Sequence, residues 1–217
     1  MTGRVTERNG TLIVRPELTD VEAVSQLSGE QYNRSMADLL AVEEDLVRQI
    51  STELRFQLSA EEEQRLTRRD TDNAEAYQLF LKSRHHNLSL SLEGLNLGLQ
   101  YAQQAVALDP SYALGYAALS DAWMARTFMG LEPVPEGYDN ARAGAERAVA
   151  LDDTRAYPRL MMGFIKHHAE WDWEGSLVDF ERAAQLEPTA RTPIRAPRKR
   201  WFPSGVSTRR STMRDAL

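Results

Sequence analysis

Gly98-Leu99-Gln100-Tyr101-Ala102-Gln103-Gln104-Ala105-Val106-Ala107-Leu108-Asp109-Pro110 returns in altered form as Ala141-Arg142-Ala143-Gly144-Ala145-Glu146-Arg147-Ala148-Val149-Ala150-Leu151-Asp152-Asp153. It returns again as Ser176-Leu177-Val178-Asp179-Phe180-Glu181-Arg182-Ala183-Ala184-Gln185-Leu186-Glu187-Pro188. Each copy opens on a small residue, carries Ala seven places on and Leu three beyond that, and then an acid. The copies start 43 and then 35 residues apart, and two of them close on Pro. Small residues along one helix face let a second helix approach closely, and a terminal Pro cannot continue a helix, so it forces a turn into the next unit. A helical pair of this size buries too little alone and must stack on its neighbour. The repeat therefore predicts a mainly α chain, an array of about three helical hairpins.

Upstream of the repeats the periodicity changes. Leu39, Val42, Leu46, Ile50, Leu54 and Leu58 recur every three or four residues, one apolar stripe of a helix running from about Ser35 to Leu58. Ser59 with Glu62 has capping-box spacing for a short helix through Arg69, and Asp72 with Glu75 repeats the signal before the first repeat unit. Residues 2–32 read as β: Asn9-Gly10 is a strong hairpin signal, with arms at Val5-Thr6 and Leu12 to Leu18. A lone hairpin is marginal in water, so this one needs a sheet or helix to lie on. The chain begins directly at the first arm, which points to the remnant of a larger β-containing domain.

Hydrophobic residues make up 42% of the 217 and charged ones 27%, the composition of a soluble globular protein. No apolar run approaches the ~20 residues of a membrane span, and Met1 to Glu7 does not lead into a signal-peptide core. The absence of cysteine excludes disulfides, thiolate metal sites and a Cys nucleophile. The net charge of −6 conceals an asymmetry. Residues 191–217 hold eight basic side chains and one acid, which leaves a net −13 for 1–190. An acidic body repels nucleic acid and anionic membranes, so only the tail offers either a contact.

The repeats resemble the tetratricopeptide repeat, a helix–turn–helix unit of ~34 residues. The clearest unit has Tyr116, Leu119, Ser120 and Trp123, then Ala141, Ala145, Ala148, and Asp153 where the pattern expects Pro. Met162-Gly163, Ser176, Phe180, Ala183 and Pro188 match in the next. The first is looser, with Tyr77, Phe80, Leu81, Gly98, Ala105 and Pro110 and a longer inter-helix loop. Pro133 and Pro135 lengthen the loop of the second. The resemblance covers about 73–188 and implies an α-solenoid packed through Gly98, Ala105, Tyr116, Leu119, Ala141, Ala148, Gly163, Ser176 and Ala183.

A second resemblance covers 1–70. Gly3-Arg4-Val5, Leu12 to Leu18, Ser25-Gln26-Leu27, Gly29-Glu30-Gln31-Tyr32 and Asp38 to Glu44 look like the end of a TolB-type amino-terminal domain, with Ser28 where that family has a tryptophan. In bacterial signalling proteins such a domain often precedes tetratricopeptide repeats. The expected organisation is a β-hairpin remnant at 1–34, linker helices at 35–70, the array at 73–190 and a basic, disordered tail at 191–217. Past Pro188 the pattern stops, and Pro193, Pro197 and Pro203 among arginines form a composition that cannot fold alone. The expectation is that a frame change or truncation ended the array near residue 190.

Candidate chemistry is sparse. Adjacent helical residues point about 100° apart, so neither His85-His86 nor His167-His168 chelates one ion. His167 with Glu170, or His168 with Asp172, supplies two ligands where zinc wants three or four. No metal site is expected. Trp171-Asp172-Trp173 falls at the turn of the last hairpin, where the indoles are expected to cover its open end. The acidic runs Glu43-Glu44-Asp45, Glu61-Glu62-Glu63 and Asp152-Asp153 read as solvated faces or helix-dipole partners, and no phosphate loop, dinucleotide fingerprint or nucleophile elbow is present. Neither catalytic residues nor a cofactor are expected.

In tetratricopeptide arrays the first helices of successive units line a concave surface. Residue by residue, the resemblance puts Ala117, Asp121 and Met124 beside Leu160, Phe164 and His167, a mixed apolar groove for a partner peptide. Some members clamp a terminal carboxylate with Lys and Asn where this chain has Ala117 and Asp121, and Asp121 repels a carboxylate. The resulting expectation is a non-enzymatic protein-interaction module, the scaffold or sensor part of a bacterial signalling protein, placed in the cytoplasm. An extracytoplasmic domain of a membrane-anchored parent is the alternative placement. The rival functions are a regulatory fragment of a cyclase or kinase whose catalytic domain lies elsewhere, a small-molecule sensor, and a degenerate gene product. Partner identity and oligomeric state stay open.

Overall fold

The spacing of small and apolar residues is realised as six helices. The computed structural model describes four strands within residues 2–35, the helical residue Asp45, and residues 68–187. The helices are α1 (Ala74–Asn87), α2 (Leu92–Leu108), α3 (Ala113–Phe128), α4 (Val134–Leu151), α5 (Ala156–His168) and α6 (Trp173–Leu186). Consecutive helices pack as three antiparallel hairpins, α1 with α2, α3 with α4 and α5 with α6. The hairpins stack in order, and the first helices also meet, α1 against α3 and α3 against α5. This is an α-solenoid of helical hairpins.

Each second helix buries a row of small residues. Gly94, Gly98, Ala102 and Ala105 form it on α2, Gly137, Ala141, Gly144, Ala145 and Ala148 on α4, and Ser176 and Ala183 on α6. The central helix α3 is enclosed on several sides and buries Ala113, Gly115, Ala117, Ala118, Ser120, Ala122 and Thr127. One core cluster joins Ala117, Ala141, Ala145, Ala148, Met161 and Ile165 across the second and third hairpins. Another joins Ala76, Phe80, Ala102, Tyr112 and Ala118 across the first and second. Pro158 is tolerated in α5 because it falls in the first turn, where its missing N–H has no intrahelical partner to lose.

Caps fix the helix starts. Asn73, Ser91 and Asp172 each accept from a backbone N–H of the first turn, of Ala76, Gly94 and Gly175. The capping residue of α1 is thus Asn73 and not the expected Asp72. Thr71 Oγ1 accepts from the Asn73 N–H and sets the chain entry one residue later. The turns between hairpins repeat one device. Asp109 Oδ1 accepts from the backbone and hydroxyl of Ser111 at 2.9 and 2.6 Å, and Asp152 Oδ1 accepts from those of Thr154 at the same distances.

The segment before α1 ties these turns together. Arg68 pairs with Asp152 at 2.6 Å and Asp70 with Arg155 at 2.5 Å, while the Thr71 hydroxyl donates to Asp109 Oδ2 at 2.5 Å. One end of the array is therefore clasped from its first hairpin to its third.

In the amino-terminal region, β1 (Thr2–Arg8) pairs antiparallel with β2 (Thr11–Asp20), and Arg8 faces Thr11, the pairing that Asn9-Gly10 announces in the sequence. On its other edge β2 pairs with β4 (Tyr32–Ser35) and with β3 (Ser25–Ser28). The hairpin has its sheet, and Ser35, expected to begin a helix, ends β4 instead. Apart from Asp45, the linker-helix stretch to Thr67 and the tail from Pro188 lie outside the described residues.

Candidate partner-binding face

The face shared by α1, α3 and α5 is the one the sequence assigned to a partner. Met124, Leu160, Phe164 and His167 lie on it half-buried. Ala117 does not offer a surface: it is 0% exposed and belongs to the core cluster. Asp121 is also placed differently from its expected role as an open, carboxylate-repelling group. The residue keeps some exposure at its edge, but its carboxylate is enclosed. Oδ2 accepts from the Tyr157 hydroxyl at 3.0 Å and from Asn87 Nδ2 at 3.4 Å.

These contacts come from three hairpins. Asn87 ends α1, Asp121 is in mid-α3 and Tyr157 starts α5. The Arg84 guanidinium lies 4.8 Å from the Tyr157 ring centroid and 5.9 Å from that of Phe80. Burial raises the Asp121 carboxyl above the ordinary carboxylate range, against the hydrogen bonds from Tyr157 and Asn87 and the Arg84 charge. Burial first, and then the Asp121 charge, push the Tyr157 phenol well above its usual value. The pair is a neutral phenol donating to a costly carboxylate.

Towards the hairpin tips this face turns apolar and aromatic. Rings meet in sequence: Phe128 with His168 at 6.4 Å, His168 with His167 at 4.8 Å, His167 with Trp173 at 4.5 Å and Trp173 with Trp171 at 5.9 Å. Phe164 stacks on His168 from within α5. Phe128 is 72% and Trp171 71% exposed, so Trp171 projects from the open end of the hairpin where it was expected to cover it. Its backbone has φ 56°, in the left-handed region, at some cost in strain. Trp173 does rest on His167. The first tip carries exposed Leu88, Leu90 and Leu92. Burial, and then the adjacent His167, lower the basicity of His168.

The residues chosen for repeat packing fall in the seams. Gly98, Ala105, Ala141, Ala148, Gly163, Ser176 and Ala183 are buried, and Tyr116 and Leu119 half-buried. Gly98 lies directly under the Asn87 side chain, where a Cβ has no room. Among the described residues no three His, Asp or Glu side chains gather as metal ligands, and no helix is long and apolar enough to cross a membrane. Sequence reasoning missed the Asx turns at Asp109 and Asp152, although Asp-x-Ser and Asp-x-Thr at equivalent places were a readable signal. Partial burial opposes the charged form of both, but hydrogen bonds from Ser111 and Thr71, and from Thr154, outweigh it and lower both carboxyls. Tyr157 and Arg84 were also missed, and the sequence carries no local mark of their meeting.

The geometry defines a helical-hairpin array with one shared face. No protein-family model matches the chain. It is similar to "Putative adenylate cyclase 3" of Rhizobium meliloti (strain 1021), 28% identical over 118 residues, which are 54% of this chain and 20% of that protein. The chain thus spans about a fifth of that relative's length. Among solved structures it is similar to a thermophilic TPR protein of Thermus thermophilus, at 20% identity and a TM-score of 0.47, covering 67% of this chain and 75% of the other.

Proposed function

We propose that the chain is a protein-interaction module, the scaffold or sensor part of a bacterial signalling protein, and that it takes a partner peptide along the tip-proximal half of the α1–α3–α5 face. The supporting observation is the side-by-side stacking of three first helices into one surface, with Met124, Leu160 and Phe164 half-buried on it beside exposed Phe128. Apolar side chains of a helical or extended peptide gain about 25 cal/mol per Å² on covering such a strip. The four-part division of the chain, the TolB-type origin of 1–70 and a cytoplasmic setting belong to the same proposal.

Selection of a displayed peptide library against the full chain tests it. Peptides should be recovered whose binding is lost at least ~10-fold in Met124→Asp and Phe128→Asp, since each places a charge in the apolar strip. Peptides that bind both variants as well as the parent chain, or no enrichment, refute the groove. A second reading, a regulatory fragment of a cyclase, is favoured by the match to the protein named a cyclase. It expects a nucleotide cyclase domain whose turnover changes when this chain is added.

A further inference from the structure

The last hairpin turns on Glu170-Trp171-Asp172-Trp173-Glu174, where acids and tryptophans alternate and all five residues are exposed. An indole that is 71% exposed, as that of Trp171 is, presents an open ring face to solvent. The Trp173 ring stands 5.9 Å from it at 69°, so two indoles border one place at the tip. Trp171 also holds φ 56°, which glycine adopts at less cost, and a strained, exposed tryptophan adds little to folding. Through His167 and His168 the pair is continuous with Phe128 and the apolar strip.

The charges around the pair are negative and unequally engaged. Glu170 meets Arg142 at 2.6 Å, and Asp172 Oδ1 accepts from the Gly175 N–H at 2.9 Å. Glu174 makes no ion pair among the described residues. The lowered basicity of His168 leaves it neutral at pH 7, and residues 1–190 carry a net −13, a field that draws cations. Indole faces attract cations more strongly than other rings do.

We propose that this tip is a cation subsite and that the partner peptide is basic: an Arg or Lys beside its apolar side chains lies on the Trp171 and Trp173 rings, with Glu174 supplying negative charge. The placement of the apolar part rests on the reading of the adjoining strip as a partner surface. The cation contact is measured by itself, so either idea can fail alone.

Three capped tetrapeptides, alternating leucine with arginine, glutamine or glutamate, are titrated into the isotope-labelled full chain while the indole N–H signals are followed. The arginine peptide should shift the Trp171 and Trp173 signals saturably and bind at least ~3-fold more tightly than either of the others. Trp171→Ala should weaken it about 3- to 10-fold and Glu174→Gln roughly 2- to 5-fold, with Trp171→Phe recovering part of the loss. The subsite falls if less than ~3-fold separates the arginine peptide from the glutamine or glutamate one, if neither indole responds, or if Trp171→Ala binds as the parent chain does. It falls too if the shifts appear with rising protein concentration alone, which assigns the tip to a second copy. Library peptides that ignore Met124→Asp and Phe128→Asp refute the strip and leave these outcomes unchanged.

Discussion

Gly163→Ala sets helix propensity directly against packing, and the structure says which wins. Gly163 is in mid-α5 and faces α6; a methyl carbon there would come 2.5 and 2.6 Å from Phe180 Cε1 and Cδ1. Contacts of that length must be relieved. The ring has little freedom to yield, being 4% exposed and set edge-on to Phe164 at 5.3 Å. Replacing a mid-helix glycine with alanine gains about 1 kcal/mol. Overpacking a filled seam costs about 1–3 kcal/mol, and partial expulsion of a phenyl ring adds roughly 1 kcal/mol more. The net expectation is a loss of about 1–3 kcal/mol, read as a lower urea midpoint at unchanged slope. Phe180→Leu in the same background makes the cause specific, because a smaller side chain admits the methyl. The two substitutions together should then cost at least about 1 kcal/mol less than the sum of their separate costs. Gly163→Ala that stabilises by the propensity gain alone, or strict additivity with Phe180→Leu, refutes the reasoning.

Three further outcomes follow from individual contacts. Asp121 holds its proton more tightly in the native state than its ordinary value of 3.8 allows, so its contribution is full below that pH and is lost as pH rises through the native value. Asp121→Asn keeps the acceptor but cannot ionise; its stability relative to wild type should climb from about pH 4 to pH 7 in urea titrations, and a pH-independent difference counts against this. Asp172→Ala removes the side chain that accepts from the Gly175 N–H at 2.9 Å and should cost about 1 kcal/mol, with hydrogen exchange quickening first at the start of α6. Leu90, 55% exposed at φ 49°, is a left-handed residue with little packing to lose, so Leu90→Gly should raise stability by about 0.5–1 kcal/mol; a lower melting temperature would mean that its contacts outweigh the strain.

The solenoid was legible because its cause is local and periodic. A small residue at one heptad-like spacing marks a close helix approach wherever it occurs, and Ala105, Ala141, Ala148, Ser176 and Ala183 are all buried. The β1–β2 register was legible for a similar reason, since a two-residue loop fixes it. The site was less so. Face positions taken one helix at a time leave Ala117 and Asp121 open, because they ignore the α4 and α5 side chains that close over Ala117 and the side chain of the third hairpin that reaches across Asp121 to the first. Tyr157 and Arg84 are 73 residues apart and share no pattern that would announce the contact. The Arg68–Asp152 and Asp70–Arg155 clasp was invisible on the same grounds: ion pairs across such separations leave no period.

The last hairpin shows that the array does not hold every seam by the same chemistry. Where the second hairpin has Tyr116, Trp123 and Gly144, the corresponding places of the third are Arg159, Lys166 and Asp179. Asp179 is buried on α6, and its carboxylate oxygens meet Lys166 Nζ at 2.6 Å and Arg159 Nη1 at 3.3 Å, both on α5. Desolvating such a cluster cancels most of its attraction, so it adds little net stability. What it supplies is discrimination. An alanine seam tolerates a small slide of one helix along the other, since one methyl contact replaces another. Sliding α6 by a turn along α5 would strand a buried carboxylate away from its two cations, a cost of several kcal/mol. Ring contacts run from Phe128 through His168 and His167 to Trp173, so the aromatic row at the tips depends on where α5 and α6 stand relative to each other. The ion cluster therefore acts on that surface from beneath: it fixes the register that lines the row up.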